Sequence, residues 1–239
     1  MTNQQLKQIK IRKPDENIRK KVQENWDSLA KPLDGLGIFE KIFMQIGAVT
    51  GDESVPIQKK AVIVMCADNG IVEEGISQSG QEVTYQVAES MGKRKSSVCL
   101  MAAQMNAEVI PIDIGIAAEK TPEGVWNKKV CPGTKNFLKQ PAMTEQEALA
   151  AIEAGIKSVK KCKEDGVMLF ATGEMGIGNT TTSSAVAAAL LDCGTADITG
   201  KGAGLSDEGL QHKIEVINAA REKYQFDSKE TFRILCSVG

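Results

Sequence analysis

Residues 166–191 read GVMLFATGEMGIGNTTTSSAVAAALL, and this stretch decides the fold class. Its apolar run Val167-Met168-Leu169-Phe170-Ala171 has the length and composition of a buried parallel strand. Glycines at 173, 176 and 178 then predict a tight turn, with Glu174 projecting from it. Asn179, Thr180, Thr181 and Thr182 are each able to cap a helix start, and the alanine-rich segment from Ser183 is helical by propensity. Strand, glycine turn, polar cap and helix in this order present free backbone N–H groups to an anion, usually a phosphate. An ordinary tight strand-to-helix turn would leave the same trace. The motif lacks the Lys-Ser/Thr ending of a P-loop and the GxGxxG spacing of a dinucleotide site, so neither chemistry is supported. Glu174 favours a ligand, because a carboxylate in a glycine turn has little packing role. It would repel a phosphate, so it is expected to face a cationic or proton-donating part of that ligand.

Working outward, residues 60–70 (KAVIVMCADNG) form a second buried run that ends in Asp68-Asn69-Gly70. Residues 108–115 (EVIPIDIG) form a third, and residues 232–238 (FRILCSV) read as a fourth strand. Helical patterns lie between them. One starts at Gln81 with Val83, Val87 and Met91 on one face, and another covers 97–105. A third spans 143–163 behind a Thr144/Glu147 capping box, and a fourth covers 205–223 with Ser206 as cap and Leu210, Ile214 and Ile217 as its stripe. Residues 3–27 read as an exposed arm leading into a helix, and 38–47 carry the helical stripe Ile38, Ile42 and Ile46. The alternation predicts an α/β fold, a doubly wound, mostly parallel sheet with helices on both faces, plus a small helical N-terminal part. The expected division is an N-terminal subdomain over 1–50 and an α/β domain over 51–239. Residues 117–141 make a long irregular stretch of the kind that serves as a functional segment or lid. A chain ending on a buried strand lacks the loop and helix that should cover it, so the expectation is that the protein is cut short.

Composition narrows the function. A net charge of −2 and 4% aromatic residues speak against nucleic acid or an anionic membrane as partner. The six cysteines lie far apart without a CxxC pair, and the single histidine, His212, argues against a zinc site. Residues 1–21 are polar, with no secretory leader, and no apolar run reaches membrane-spanning length, so a reducing, cytoplasmic setting is expected. Neither a Ser-His-Asp nor a Cys-His constellation can be assembled around one histidine. Chemistry must then rest on placed carboxylates, backbone dipoles and phosphate anchoring, which suits glycosyl transfer from a phosphorylated ribose. The second glycine cluster, GKGAG at 200–204, places Lys201 where it could meet a phosphate or decorate a flexible turn. Lys213 reads by pattern as surface charge. Ser77, Gln81 and Gln86 could hydrogen-bond a planar heterocycle or be ordinary polar residues, and Asp68 could contact a ligand or cap the next turn.

Several stretches together resemble the nicotinate-nucleotide–dimethylbenzimidazole phosphoribosyltransferase family of cobalamin lower-ligand assembly. They are KPLDGLG at 31–37, ADNGIVEEGIS at 67–77 with QEVTYQ at 81–86, GTKNFLKQPAMTEQEA at 133–148, GEMGIGNTTTSSAV at 173–186 and GKGAGL at 200–205. The resemblance implies transfer of phosphoribose from nicotinate mononucleotide to a benzimidazole nitrogen with inversion at the anomeric carbon. It implies small-molecule substrates, no cofactor, no metal and a homodimer. Phosphate and ribose would be held by Gly176, Ile177, Gly178, Asn179, Thr180, Lys201, Gly202 and Lys213. Glu174 would be the catalytic carboxylate at the ribose, and Asp68, Ser77, Gln81, Gln86 and Met175 would line the base pocket. Two departures fall on the base side and leave the preferred base open: Asp68-Asn69-Gly70 stands where the family usually has Asp-His-Gly, and Ser79-Gly80 where Tyr-Pro is common. The family's general base belongs to a glycine-rich GEG-type segment further along. These 239 residues hold no such segment, so the expectation is little transfer by this chain alone and an active longer parent.

Overall fold

A computed structural model describes residues 1–239. They divide into two compact units, Thr2–Lys59 and Lys60–Gly239, the latter joined by Met1. The first unit is helical, with α1 Asn3–Lys7, α2 Glu16–Asp27 and α3 Ile38–Thr50. Asp15 starts α2 by accepting hydrogen bonds from the N–H groups of Asn17 and Ile18. Trp26 of α2 meets Phe43 of α3 edge to face, with ring centroids 5.6 Å apart.

The second unit is built on four strands, β1 Lys60–Ala67, β2 Ala107–Gly115, β3 Trp126–Asn127 and β4 Leu169–Met175. Their order is β3-β2-β1-β4, and every pairing is parallel. The helices are α4 Glu82–Gly92, α5 Ser97–Gln104, α6 Glu145–Glu164, α7 Asn179–Leu191, α8 Thr195–Ile198, α9 Asp207–Tyr224 and α10 Thr231–Val238. Side chains alternate between the two faces of β1. Val64 and Cys66 therefore pack against Ala88 and Met91 of α4 and Cys99 and Ala102 of α5. Ala61 and Ile63 face the other way, toward Cys162 of α6 and Val167. A further core joins α7, α9 and α10 through Ala185, Ile217 and Ile234 to Ile71 and Phe137. The sheet is doubly wound, with helices on both faces, as the sequence implied.

Several local readings are corrected. Pairing on β4 begins at Leu169, not Val167, and runs through Glu174 opposite Met65, so Glu174 belongs to the strand and not to the turn. Gly173 continues the ladder opposite Val64 instead of breaking it. The strand lies at the edge of the sheet, and Ala171, the last residue of the apolar run, is exposed, not buried, as is Thr172 after it. Residues 232–238 belong to helix α10, not to a fourth strand; a short apolar run fits either state, and burial of Ile234, Ser237 and Val238 follows the helical period. The expectation of a cut based on a terminal strand loses its premise. Thr84, Ala88 and Met91 face inward on α4, with Val83 and Val87 only half-buried. On α9 the buried stripe is Lys213, Val216, Ile217 and Ala220, while Leu210 and Ile214 stay half-buried.

The stretch 117–141 is held in place. Thr134 N–H bonds Asp68 O at 3.0 Å, Gly70 N–H bonds Thr134 Oγ1 at 3.2 Å, and the Asn136 amide reaches Glu73 and Glu74. A side chain on Gly70 would overlap the Thr134 carbonyl. This segment supports the end of β1 from below.

Candidate functional site

Two clefts flank the C-terminal end of β1. The first, about 260 Å³, is lined by Ser77, Gln78, Met175 and residues 176–180, and is closed from the far side by Lys201, Ala203, Leu205 and Lys213. The second, about 440 Å³, is lined by Asp68, Gln81, Glu82, Tyr85, Gln86 and residues 116–118. Strand ends of a parallel sheet are where α/β folds place ligands. A third cleft of about 240 Å³, within Thr2–Lys59, is walled by Val22, Trp26, Phe43 and Val55 and holds only Glu53 as a titratable side chain. It lacks the charged groups described next.

The first cleft has the make-up of an anion site. Gly178 caps α7 at φ 91° without any side-chain cap, leaving the helix N-terminus open to a ligand. Four polar residues suited to capping follow it, but three of their side chains are engaged elsewhere. Asn179 Nδ2 donates to the Glu174 carboxylate, Thr180 Oγ1 accepts from Lys213 Nζ, and Thr182 Oγ1 donates to Asn69. A side chain on Gly176 would overlap the Ala67 carbonyl, and Gly178 has both positive φ and Val72 and Asn69 where a β-carbon would stand. Gly202, at φ +61°, lets its backbone pass beside Thr180 and Lys213.

Lys213 decides the electrostatics. The side chain expected on the surface is 1% exposed. Its ammonium donates to Thr180 Oγ1 at 2.6 Å and to Gly200 O at 3.1 Å, and burial lowers its pKa with no carboxylate to oppose the shift. Its place is legible in hindsight: it precedes Val216 and Ile217 by three and four residues, on the apolar stripe of α9. Lys201 is exposed at the rim and pairs with Asp207 at 2.6 Å. Glu174 is open to solvent beside the cradle. Burial around its carboxyl raises its pKa, with the Asn179 amide opposing.

In the second cleft Asp68 accepts from Ala117 N–H at 2.7 Å through Oδ2, and Oδ1 has no hydrogen-bond partner. Burial raises its pKa, opposed by that N–H and by the neighbouring Thr84 hydroxyl. Gln81 Nε2 donates to Asn69 O at 3.2 Å. Of the residues expected around a base, Asp68, Gln81 and Gln86 come together here, whereas Ser77 and Met175 line the anion cleft. The Ser77 displacement follows from the turn Gly70–Glu74, which carries the succeeding loop toward α7 and α9, where Gln78 Nε2 bonds Gly204 O at 2.8 Å. Met175 is carried there as the last residue of β4. Gln78, Ala203, Tyr85 and Glu82 were not anticipated: Glu82 and Tyr85 lie inside QEVTYQ, Ala203 inside GKGAG, and Gln78 directly after ADNGIVEEGIS, but none carries a pattern of its own.

The family model described as phosphoribosyltransferase matches residues 11–239. The nicotinate-nucleotide–dimethylbenzimidazole phosphoribosyltransferase of Clostridium acetobutylicum is 41% identical over 225 residues, covering 94% of this chain and 64% of its own length. The protein of the same name from Acetivibrio thermocellus is 43% identical over 218 residues, covering 91% of this chain and 62% of its own. The crystal structure of CobT from Thermus thermophilus superposes with a TM-score of 0.87 at 32% identity, over 93% of this chain and 67% of that one. The chain thus spans a little under two-thirds of the curated relatives' length. With that match and those likenesses following from the same motifs and fold, the chain belongs to the nicotinate-nucleotide–dimethylbenzimidazole phosphoribosyltransferase family.

Proposed function

We propose that this chain binds nicotinate mononucleotide in the first cleft and 5,6-dimethylbenzimidazole, or a related base, in the second, as the substrate-binding part of a transferase that passes the phosphoribosyl group from the one to the other. The products are nicotinate and α-ribazole 5′-phosphate. One observation carries the reading: a buried lysine without a carboxylate partner beside a helix N-terminus without a side-chain cap. Both groups are suited to the dianion of a phosphate monoester. Lys201 can leave Asp207, itself exposed, to add a second cation at the rim. A homodimer and a cytoplasmic setting belong to the same reading.

The chemistry follows from charge. The C1′–N bond to the pyridinium breaks with its electron pair moving to nitrogen, so nicotinate leaves with a neutral ring and needs no proton. Positive charge builds on the ribose, and Glu174, bonded to Asn179 at the edge of the cleft, is the carboxylate available to stabilise it. The benzimidazole nitrogen gives its lone pair to C1′ from the opposite face, and the ring, made cationic by the new bond, releases the proton on its second nitrogen to water. Gln81 and Gln86 hold the ring by its edge, and Asp68 belongs to the same wall.

Replacing Glu174 by Gln tests the reading. Calorimetry should show mononucleotide affinity within about threefold of wild type, while transfer to dimethylbenzimidazole, followed by chromatography, falls about 100-fold or more. Binding without turnover in the wild type would assign the chain to a non-catalytic binding role. Absence of mononucleotide binding would overturn the reading altogether.

A further inference from the structure

We infer that Asn69 is a positioning residue that fixes the anion loop relative to the acceptor cleft. The inference rests on the reading above, in which the two clefts hold the two substrates. Asn69 lies two residues beyond β1, next to Asp68, and is 8% exposed. Its amide Nδ2 donates to Ile177 O at 3.0 Å, and its Oδ1 accepts from Thr182 Oγ1 at 3.1 Å. Its own carbonyl accepts from Gln81 Nε2 at 3.2 Å, in the second cleft. Its β-carbon lies against Gly178, where any side chain would meet it at 3.1 Å.

The need for such a brace is physical. Ile177 sits between Gly176 and Gly178, and a loop with a glycine on each side has many backbone conformations to lose. Asn69 holds the carbonyl of Ile177, and Thr84 Oγ1 of α4 accepts its N–H at 3.0 Å. Ile177 is thus pinned from the segment after β1, which also holds Asp68, and from α4, whose N-cap is Gln81 and whose second turn holds Gln86. The anomeric carbon must lie between a phosphate held by this loop and a base held by those residues. An error of about 1 Å in that separation is costly to a displacement at carbon.

Asn69→Ala separates this role from a general structural one, because it removes both side-chain bonds and keeps the carbonyl that anchors Gln81. Calorimetric titration of the whole chain should show nicotinate mononucleotide affinity reduced about tenfold and dimethylbenzimidazole affinity unchanged within about twofold. Thr182→Val, which removes one of the two bonds, should weaken the mononucleotide about threefold and cost little more when added to Asn69→Ala. Wild-type mononucleotide affinity in Asn69→Ala would overturn the inference while leaving the proposed function standing. So would a parallel fall in both affinities and in melting temperature. If Asn69→Ala does not fold, full mononucleotide affinity in Thr182→Val overturns it instead. A wild-type chain that binds no mononucleotide removes the function and the inference together.

Discussion

Lys213 shows how one residue can carry the site's logic. Its folded-state pKa lies below the usual lysine value because burial disfavours the ammonium. The linkage sign follows. A lowered lysine pKa means that the unfolded chain binds the proton more tightly, so the burial cost is fully present at neutral pH. It fades as pH rises from the lowered value toward the ordinary one near 10.5. Bound phosphate reverses the preference and pulls the proton back. Mononucleotide affinity should therefore weaken as pH climbs, beginning below 10.5, with proton uptake on binding in that range; calorimetry in buffers of different ionisation enthalpy reads both. Lys213→Met should melt higher than wild type and bind the mononucleotide about 10- to 100-fold more weakly. At this scale the sequence is uneven. The glycines and Glu174 stand out because their types are unusual where they occur. Lys213 looks like surface charge until its spacing to Val216 and Ile217 is weighed. The Thr180 and Gly200 contacts that hold it join residues 33 and 13 positions away, which no local pattern reveals.

Among the elements, β1, α6 and α7 were legible because their signals are local: an unbroken apolar run, a capping box, an alanine-rich helix. The Thr144 box forms as read, with both of its hydrogen bonds present. α10 was not legible, since eight apolar-rich residues suit a helix or a strand equally and only packing decides. The decision has a sharp mutational signature at Ser237. In a strand with one face in water, Ser237 would point away from Cys236 and Val238, and a charge there would be tolerated. In the helix Ser237 is buried beside Ile234 and Val238, close to the core that joins α10 to α7 and α9. Ser237→Asp should accordingly lower the unfolding free energy by about 3 kcal/mol or more, because it buries a carboxylate without a partner. Urea denaturation measures this, and a variant as stable as wild type would speak against the helix. β4 was half legible for a related reason. Its residues announce a strand, but whether a strand is central or at an edge depends on its neighbours, and that sets the exposure of Ala171 and Thr172.

For the molecule as a whole, the cores of Lys60–Gly239 can be interrogated through cysteine, because each contains or borders a thiol. All six cysteines are free. Cys66 and Cys99 lie in the core between β1, α4 and α5, Cys162 lies against the opposite face of the sheet, and Cys236 is buried on α10. Burial pushes the Cys66 thiol up to about 12 and raises Cys162 and Cys236 as well, so thiolate is scarce at neutral pH even where reagent could enter. Cys131 and Cys193 are only half-buried. Cys131 is further restrained by burial, the first cause of its raised pKa, and by the nearby Glu147 carboxylate. A native thiol titration with a chromogenic disulfide should give Cys193 first, Cys131 more slowly, and the remaining four only at the rate of unfolding, while all six react at once in denaturant. The outcome tests both sheet faces and α10 in one measurement. Early reaction at Cys66 or Cys99 would mean that α4 and α5 do not cover β1; early reaction at Cys162 would say the same of α6. Early reaction at Cys236 would mean that α10 has come away from α7, the helix whose N-terminus is proposed to hold the phosphate, and would predict weakened mononucleotide binding in the same sample.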